Sequence, residues 1–128
     1  DRMAHGFLQS FDPSLSVYSA GTKASGKVNP KAIEVMQDAG VDISHHTSDS
    51  VEQYMNDKWD YVITVCGGAK ESCPTFLGKV KNRLHIGFDD PSEATGTLEF
   101  IQSEYIRVRD EIKKIFYELY IDKIKGHE

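Results

Sequence analysis

Residues 60–74 read DYVITVCGGAKESCP. The run from Tyr61 to Val65 is apolar nearly throughout, as expected of a strand covered on both faces of a parallel sheet. It stops at Cys66, and Cys73 follows seven positions later; these are the only 2 cysteines of the chain. The segment thus reads as a central strand that delivers a thiol to its C-terminal end.

Working outward, SVYSAG (residues 16–21) is a second strand that stops at Gly21, and RLHIGF (residues 83–88) is a weaker third. Helices fall between them. Asn29 followed by Pro30 is an N-cap with a proline at N1, and KAIEVMQDAG then runs to a stop at Gly40. A short helix is expected from Ser48 or Asp49, with Glu52 placed for a capping box. Leu98, Ile101, Tyr105, Val108, Ile112, Ile115 and Leu119 recur at spacings of three and four, an apolar stripe on a long amphipathic helix. That stripe would also suit a coiled coil, but the α/β pattern before it favours packing on a sheet.

Strands alternating with helices imply an α/β fold, a parallel sheet with helices on both faces. In such sheets ligands bind beyond the C-terminal strand ends. Cys66 sits at one such end, and GFDDP, with Asp89, Asp90 and Pro91, follows another.

The 128 residues suit a single domain spanning residues 1–128. A formal net charge of -5 argues against nonspecific nucleic-acid binding. No apolar run approaches the roughly 18 residues that span a membrane, and no signal peptide is visible. So few cysteines do not make a secreted disulfide scaffold, which points to a reducing, cytoplasmic setting. MAHGFLQSF (residues 3–11) reads as the later part of a helix, with Ala4, Phe7, Leu8 and Phe11 at helical spacing. The expectation is therefore an N-terminally incomplete fold, or one whose gap another segment fills.

MAHGFL, VYSAGT, GKVNPKAIEVM, DISHHTSD, VCGGAKESCP, GFDDP and RVRDEI together resemble the thioredoxin-coupled arsenate reductases, which share the fold of the low-molecular-weight protein tyrosine phosphatases. The resemblance runs from Met3 to about Ile115. It implies a first strand and a Cys-x5-Arg oxyanion loop ahead of the residue 3–11 helix, and neither is in this sequence. The loop cysteine would be the nucleophile, so no residue here is assigned to it, and Arg2 does not match the loop arginine.

The remaining roles are implied residue by residue. The loop thiol attacks arsenate or a phosphate-like oxyanion, and the residue matching Cys66 then attacks the loop cysteine and releases arsenite. The residue matching Cys73 attacks Cys66 in turn, and thioredoxin reduces the Cys66–Cys73 disulfide. Asp90 would be the general acid that protonates the leaving oxygen.

If residues 67–73 are helical, the two cysteines lie about 10 Å apart along the axis. A disulfide needs Cα atoms within about 7 Å, so the segment must unwind or bend. Gly67 and Gly68 favour that, and Pro74 stops a helix.

Other readings stand beside these. Cys66 and Cys73 could be small buried residues, or could bind zinc with two of His45, His46 and His85, although their spacing exceeds that of the usual knuckle. Asp90 before Pro91 is also a common turn starter. Asp89 beside it would raise one carboxyl pKa if both faced the site. His45 and His46 read as polar loop residues. Ser19 and Asp49 match positions that hold a structural potassium ion, but a glutamate of that site corresponds to His5. Imidazole is a poor ligand for a hard alkali cation, which weighs against binding there. Two further functions compete: a phosphatase on the same fold, which would need neither cysteine, and a catalytically silent binding protein.

Overall fold

The first helix, α1 (Arg2–Phe11), buries Met3, Ala4, Phe7 and Leu8 at the helical spacing read from the sequence. The architecture comes from a computed structural model, which describes residues 2–21, 28–47, 49–65 and 76–126. After α1 come β1 (Ala20–Gly21), α2 (Pro30–Asp38) and β2 (Asp49–Ser50). A 3₁₀ turn (Val51–Tyr54), β3 (Lys58–Thr64) and β4 (Lys79–His85) follow. A second 3₁₀ turn (Pro91–Glu93), α3 (Leu98–Leu119) and a π turn (Tyr120–Ile124) complete the order.

α2 starts as its sequence dictates: the Asn29 side chain accepts from Lys31 N, and Pro30 occupies N1. It ends where Gly40 takes φ +83°, which a side chain would resist. Gly40 N and Val41 N there satisfy the carbonyls of Gln37 and Met36. α3 is capped by Thr97, whose hydroxyl accepts from Phe100 N.

The three helices share one core. Val35 and Met36 of α2, Val108 and Ile112 of α3, and Ile43 are all 0% exposed, with Phe7 and Phe116 sealed beside them. Polar ties fasten the layer. Asn29 Nδ2 donates to the Tyr105 hydroxyl at 3.0 Å, Arg109 donates to the Val35 carbonyl at 3.0 Å, and the Tyr120 hydroxyl donates to Asp12 at 2.8 Å. Tyr61, Ile63, Val65, Leu84 and Ile86 pack against this helical core from the β3–β4 side.

Both strand pairs are parallel: β1 with β2 in the register Ala20↔Asp49, and β3 with β4 in the register Lys58↔Lys79. The α/β class with parallel strands is therefore as read from the sequence. Among the described residues the two pairs are not hydrogen-bonded to one another.

Several expectations are corrected. Among the described residues β1 covers Ala20–Gly21 rather than all six of SVYSAG: residues 16–19 run up to it without pairing to β2. The helix expected from Ser48 or Asp49 is a single 3₁₀ turn capped by Ser50, while Asp49 is taken into β2; Ser48 lies outside the described residues. β3 is half-buried rather than covered on both faces: Lys58 and Asp60 are exposed and Tyr61 to Thr64 only partly buried. β4 starts and ends earlier than residues 83–88, and its alternating Lys79, Lys81, Arg83 and His85 face solvent. On α3 the stripe is displaced: Leu98 is 76% exposed and Ile115 37%, whereas Phe116 is sealed. A spacing of three or four allows either Ile115 or Phe116 to follow Ile112, and the core took the larger aromatic.

Candidate active site

The C-terminal ends of β3 and β4 are held together beyond the strands. Ile86 N donates to Thr64 O at 2.8 Å, and Phe88 N donates to Val65 O at 3.4 Å. Val65 immediately precedes Cys66, and Phe88 immediately precedes Asp89 and Asp90. Phe88 is itself buried in the helical core, so this junction has a rigid seat. Cys66 and Cys73 lie outside the described residues, as do Gly67, Gly68 and Pro74.

The far end of that segment is seated too. The Phe76 ring is buried, and Arg83 of β4 donates to the Phe76 carbonyl and, at 3.0 Å, to the Gly78 carbonyl. Gly78 is required there: a Cβ would stand 2.5 Å from the Phe76 ring and 2.9 Å from the Met55 carbonyl oxygen. The cysteine-bearing stretch thus leaves from a β3 end clamped by Phe88 and returns to a β4 start clamped by Arg83.

Asp89 and Asp90 diverge in their partners, although both border the same depression. Asp90 Oδ1 accepts from Ser92 N at 2.9 Å and from Ser92 Oγ at 2.7 Å, capping the Pro91–Glu93 turn. Its Oδ2 takes no such bond among the described residues. The Asp89 carboxylate instead meets Arg107 at 3.1 Å. Arg107 also grips Glu104 at 2.7 Å and Glu111 at 2.9 Å, and these bonds raise its pKa. Asp89, Asp90, Glu93, Glu104 and Arg107 line an open depression beside the strand ends. Its excess of carboxylates makes that depression itself a poor anion seat.

A second polar cluster forms where α1 meets β1 and β2. The register pairs Asp49 of β2 with Ala20, the residue after Ser19. Arg2 donates to the Ser19 carbonyl at 2.8 Å and also to its hydroxyl. His5 Nδ1 lies 2.7 Å from the same hydroxyl. A Ser19 hydroxyl that accepts from Arg2 still has its own proton to give, and a neutral His5 imidazole can take it at Nδ1. Burial, then the charges of His46 and Arg2, push the His5 pKa down from 6.5 to about 4. The His46 ring stacks on His5 at 4.4 Å and against His45 at 4.6 Å, and burial followed by the His45 and Arg2 charges lowers its pKa as well. Asp49 accepts from Thr47 Oγ1 at 2.8 Å and from the Tyr54 hydroxyl at 3.1 Å; the Thr47 bond is the main cause of its lowered pKa. Trp59 meets Tyr18 and Tyr54 edge to face, and those two tyrosines tilt against one another beside this cluster.

Of the residues read from the sequence, the structure sets Ser19 just before β1 and Asp49 on its partner strand, and sets Asp90 near the β3 exit. His85 bonds Thr64 Oγ1 at 2.7 Å, and no group of three metal-ligating side chains gathers among the described residues. The sequence reading missed Arg2, Arg83 and Arg107. Arg2 had a signal, since it lies three residues before His5 and so shares its helical face. Arg83 and Arg107 had none, because the carbonyls and carboxylates they hold are brought to them only by the fold. No helix among the described residues is long and apolar enough to cross a membrane.

The family profile described as low molecular weight phosphotyrosine protein phosphatase matches residues 2–126. Among curated proteins, an arsenate reductase of Halalkalibacterium halodurans is 45% identical over 114 residues, which are 88% of this chain and 81% of that protein. An arsenate reductase of Bacillus subtilis is 43% identical over 112 residues, 87% of this chain and 79% of that one. Among solved structures, an arsenate reductase in its reduced state superposes with a TM-score of 0.75 at 30% identity, covering 97% of this chain and 88% of that one. An arsenate reductase in a phosphate binding state does so with 0.76 at 28% identity, covering 94% and 86%.

Proposed function

The chain belongs to the low molecular weight phosphotyrosine protein phosphatase family and, within it, to the arsenate reductases; from that premise we propose that Cys66 and Cys73 are its electron relay and Asp90 its general acid. The observation that supports this most is the Phe88 N to Val65 O bond. It ties the residue before Cys66 to the chain two residues before Asp90, so thiol and carboxyl start from one clamped junction.

Reduction of arsenate to arsenite takes two electrons, which two thiols supply by becoming a disulfide. The attacking thiol is of the family's Cys-x5-Arg kind and is not among the 128 residues. It displaces an arsenate oxygen, which leaves as water once protonated. Asp90 serves there: Oδ1 is anchored on Ser92, and Oδ2 is left to carry the proton. The Cys66 thiolate then attacks the sulfur bonded to arsenic. The S–As electron pair stays on arsenic, which departs as arsenite, and a disulfide to Cys66 forms. Cys73 attacks Cys66 next and frees the first thiol. The Cys66–Cys73 disulfide passes its oxidation to a dithiol protein such as thioredoxin by exchange through a mixed disulfide. Such a relay runs only where thiols are kept reduced, which favours the cytoplasm.

The test uses the protein carrying its attacking thiol, with thioredoxin, thioredoxin reductase and NADPH. Cys66→Ser is expected to stop after adduct formation. Cys73→Ser is expected to release at most one arsenite per enzyme. Sustained NADPH consumption by either variant refutes the relay.

A further inference from the structure

We propose that this chain carries its own cation at Ser19, beside the strand that holds Asp49: the Arg2 guanidinium fills the place of a metal ion, and the position binds no potassium.

The oxygens on Ser19 and on the neighbouring strand are of the kind a hard cation takes: the Ser19 carbonyl and hydroxyl, and the Asp49 carboxylate with the Tyr54 hydroxyl bonded to it. Each already has a partner. Both Ser19 oxygens accept from Arg2, Asp49 Oδ1 accepts from Thr47, and Asp49 Oδ2 accepts from Tyr54. An alkali ion would have to take the Ser19 oxygens from Arg2 and then sit beside its charge. The remaining side chain on Ser19 is His5, which presents a ring nitrogen.

The electrostatics agree with the geometry. Burial lowers the Arg2 pKa, and the Asp49 charge works against that lowering. Arg2 in turn depresses both His5 and His46, so the neighbouring imidazoles already experience a resident positive charge. A guanidinium suits the post, being permanently charged, planar, and more weakly hydrated than an ammonium. Unlike a bound ion, it cannot be diluted away.

Trp59, the only tryptophan, packs on Tyr18 and Tyr54 at 5.3 and 5.6 Å and reports on the site. Its emission and the thermal midpoint would be followed while KCl replaces choline chloride at constant ionic strength. The wild-type chain is expected to show no saturable, potassium-specific change. Arg2→Gln combined with His5→Glu empties the site of its charge and restores a carboxylate. That variant is expected to gain about 3–5 °C in midpoint at a potassium concentration roughly ten times its Kd. If it does not fold, Arg2→Gln alone carries the comparison and is expected to gain a smaller saturable rise. A saturable potassium effect on the wild type overturns the proposal, and so does a folded variant no more responsive than the wild type.

Discussion

Acidification should destabilise this protein through His5, before its carboxylates protonate. The imidazole titrates near 6.5 when unfolded and near about 4 in the folded chain, held down by burial and by the His46 and Arg2 charges. Between these values the unfolded state binds the extra proton, so stability rises with pH across the window and is flat above it with respect to this group. Each pH unit in the window carries about 1.4 kcal/mol, which sets a ceiling of about 3 kcal/mol. His5 is only half-buried, and solvent screening reduces the expected loss to about 1–2 kcal/mol. The perturbation is His5→Gln, whose amide oxygen can still accept from Ser19 Oγ but does not titrate. Urea unfolding followed by Trp59 fluorescence, from about pH 7 to about pH 4.5, gives the free energy of each protein. The wild-type curve should fall across the window by about 1–2 kcal/mol more than the variant curve. Carboxylates are common to both proteins and drop out of the difference. Parallel curves would mean that His5 is not held neutral and that the hydrogen-bond direction from Arg2 through Ser19 is wrong.

Three further outcomes are expected. Ile112→Ala, at a fully sealed position of α3, should cost about 2–5 kcal/mol in chemical denaturation, whereas Leu98→Ala on the exposed end should stay within about 0.5 kcal/mol; equal losses would displace the buried seam from Phe116 back to the sequence stripe. Gly78→Ala should cost about 1–3 kcal/mol, because its methyl meets the Phe76 ring and the Met55 carbonyl at once, and an unaltered urea midpoint would show that this return point is not tightly seated. With the attacking thiol present, Asp90→Asn should slow adduct formation by about 10²–10⁴-fold in single turnover while its amide oxygen still caps Ser92; Asp89→Asn, which only loosens Arg107, should do far less, and the reverse order would exchange the two roles.

The sequence foretold what repeats locally. The α1 face, the Asn29–Pro30 start of α2 and the Gly40 stop depend on neighbours within one or two turns, and all three stand as read. The apolar run at residues 61–65 showed a strand and its end, but not its exposure, which depends on what lies across the sheet. The Ile115–Phe116 choice failed for a similar reason: both positions satisfy the helical period, and only packing against Phe88 and the α1 face decides between them. At the candidate site, GFDDP marked Asp90 as a residue beyond a strand end and, by its place before Pro91, set it apart from Asp89, but gave no sign of where either carboxylate would turn. Their divergence comes from Arg107, 18 positions later, and from Ser92 two positions on. Arg2 shares a helical face with His5, but Ser19, which joins the two, reaches them only when α1 folds against β1.

The one-sided pairing of β3 will show in the rate at which its amide protons exchange with solvent. Thr64 O accepts from Ile86 N, so Thr64 turns its backbone towards β4, and by strand alternation Val62 does the same. Tyr61 and Ile63 turn theirs to the opposite edge, where no strand pairs among the described residues. In deuterated water the strand should therefore label in a comb: slow at Val62 and Thr64, fast at Tyr61 and Ile63. Any segment that docks along that edge, from this polypeptide or another, would close the gaps in the comb and leave every amide of the run slow. Residue-resolved exchange along four consecutive positions thus reads out the occupancy of the whole edge.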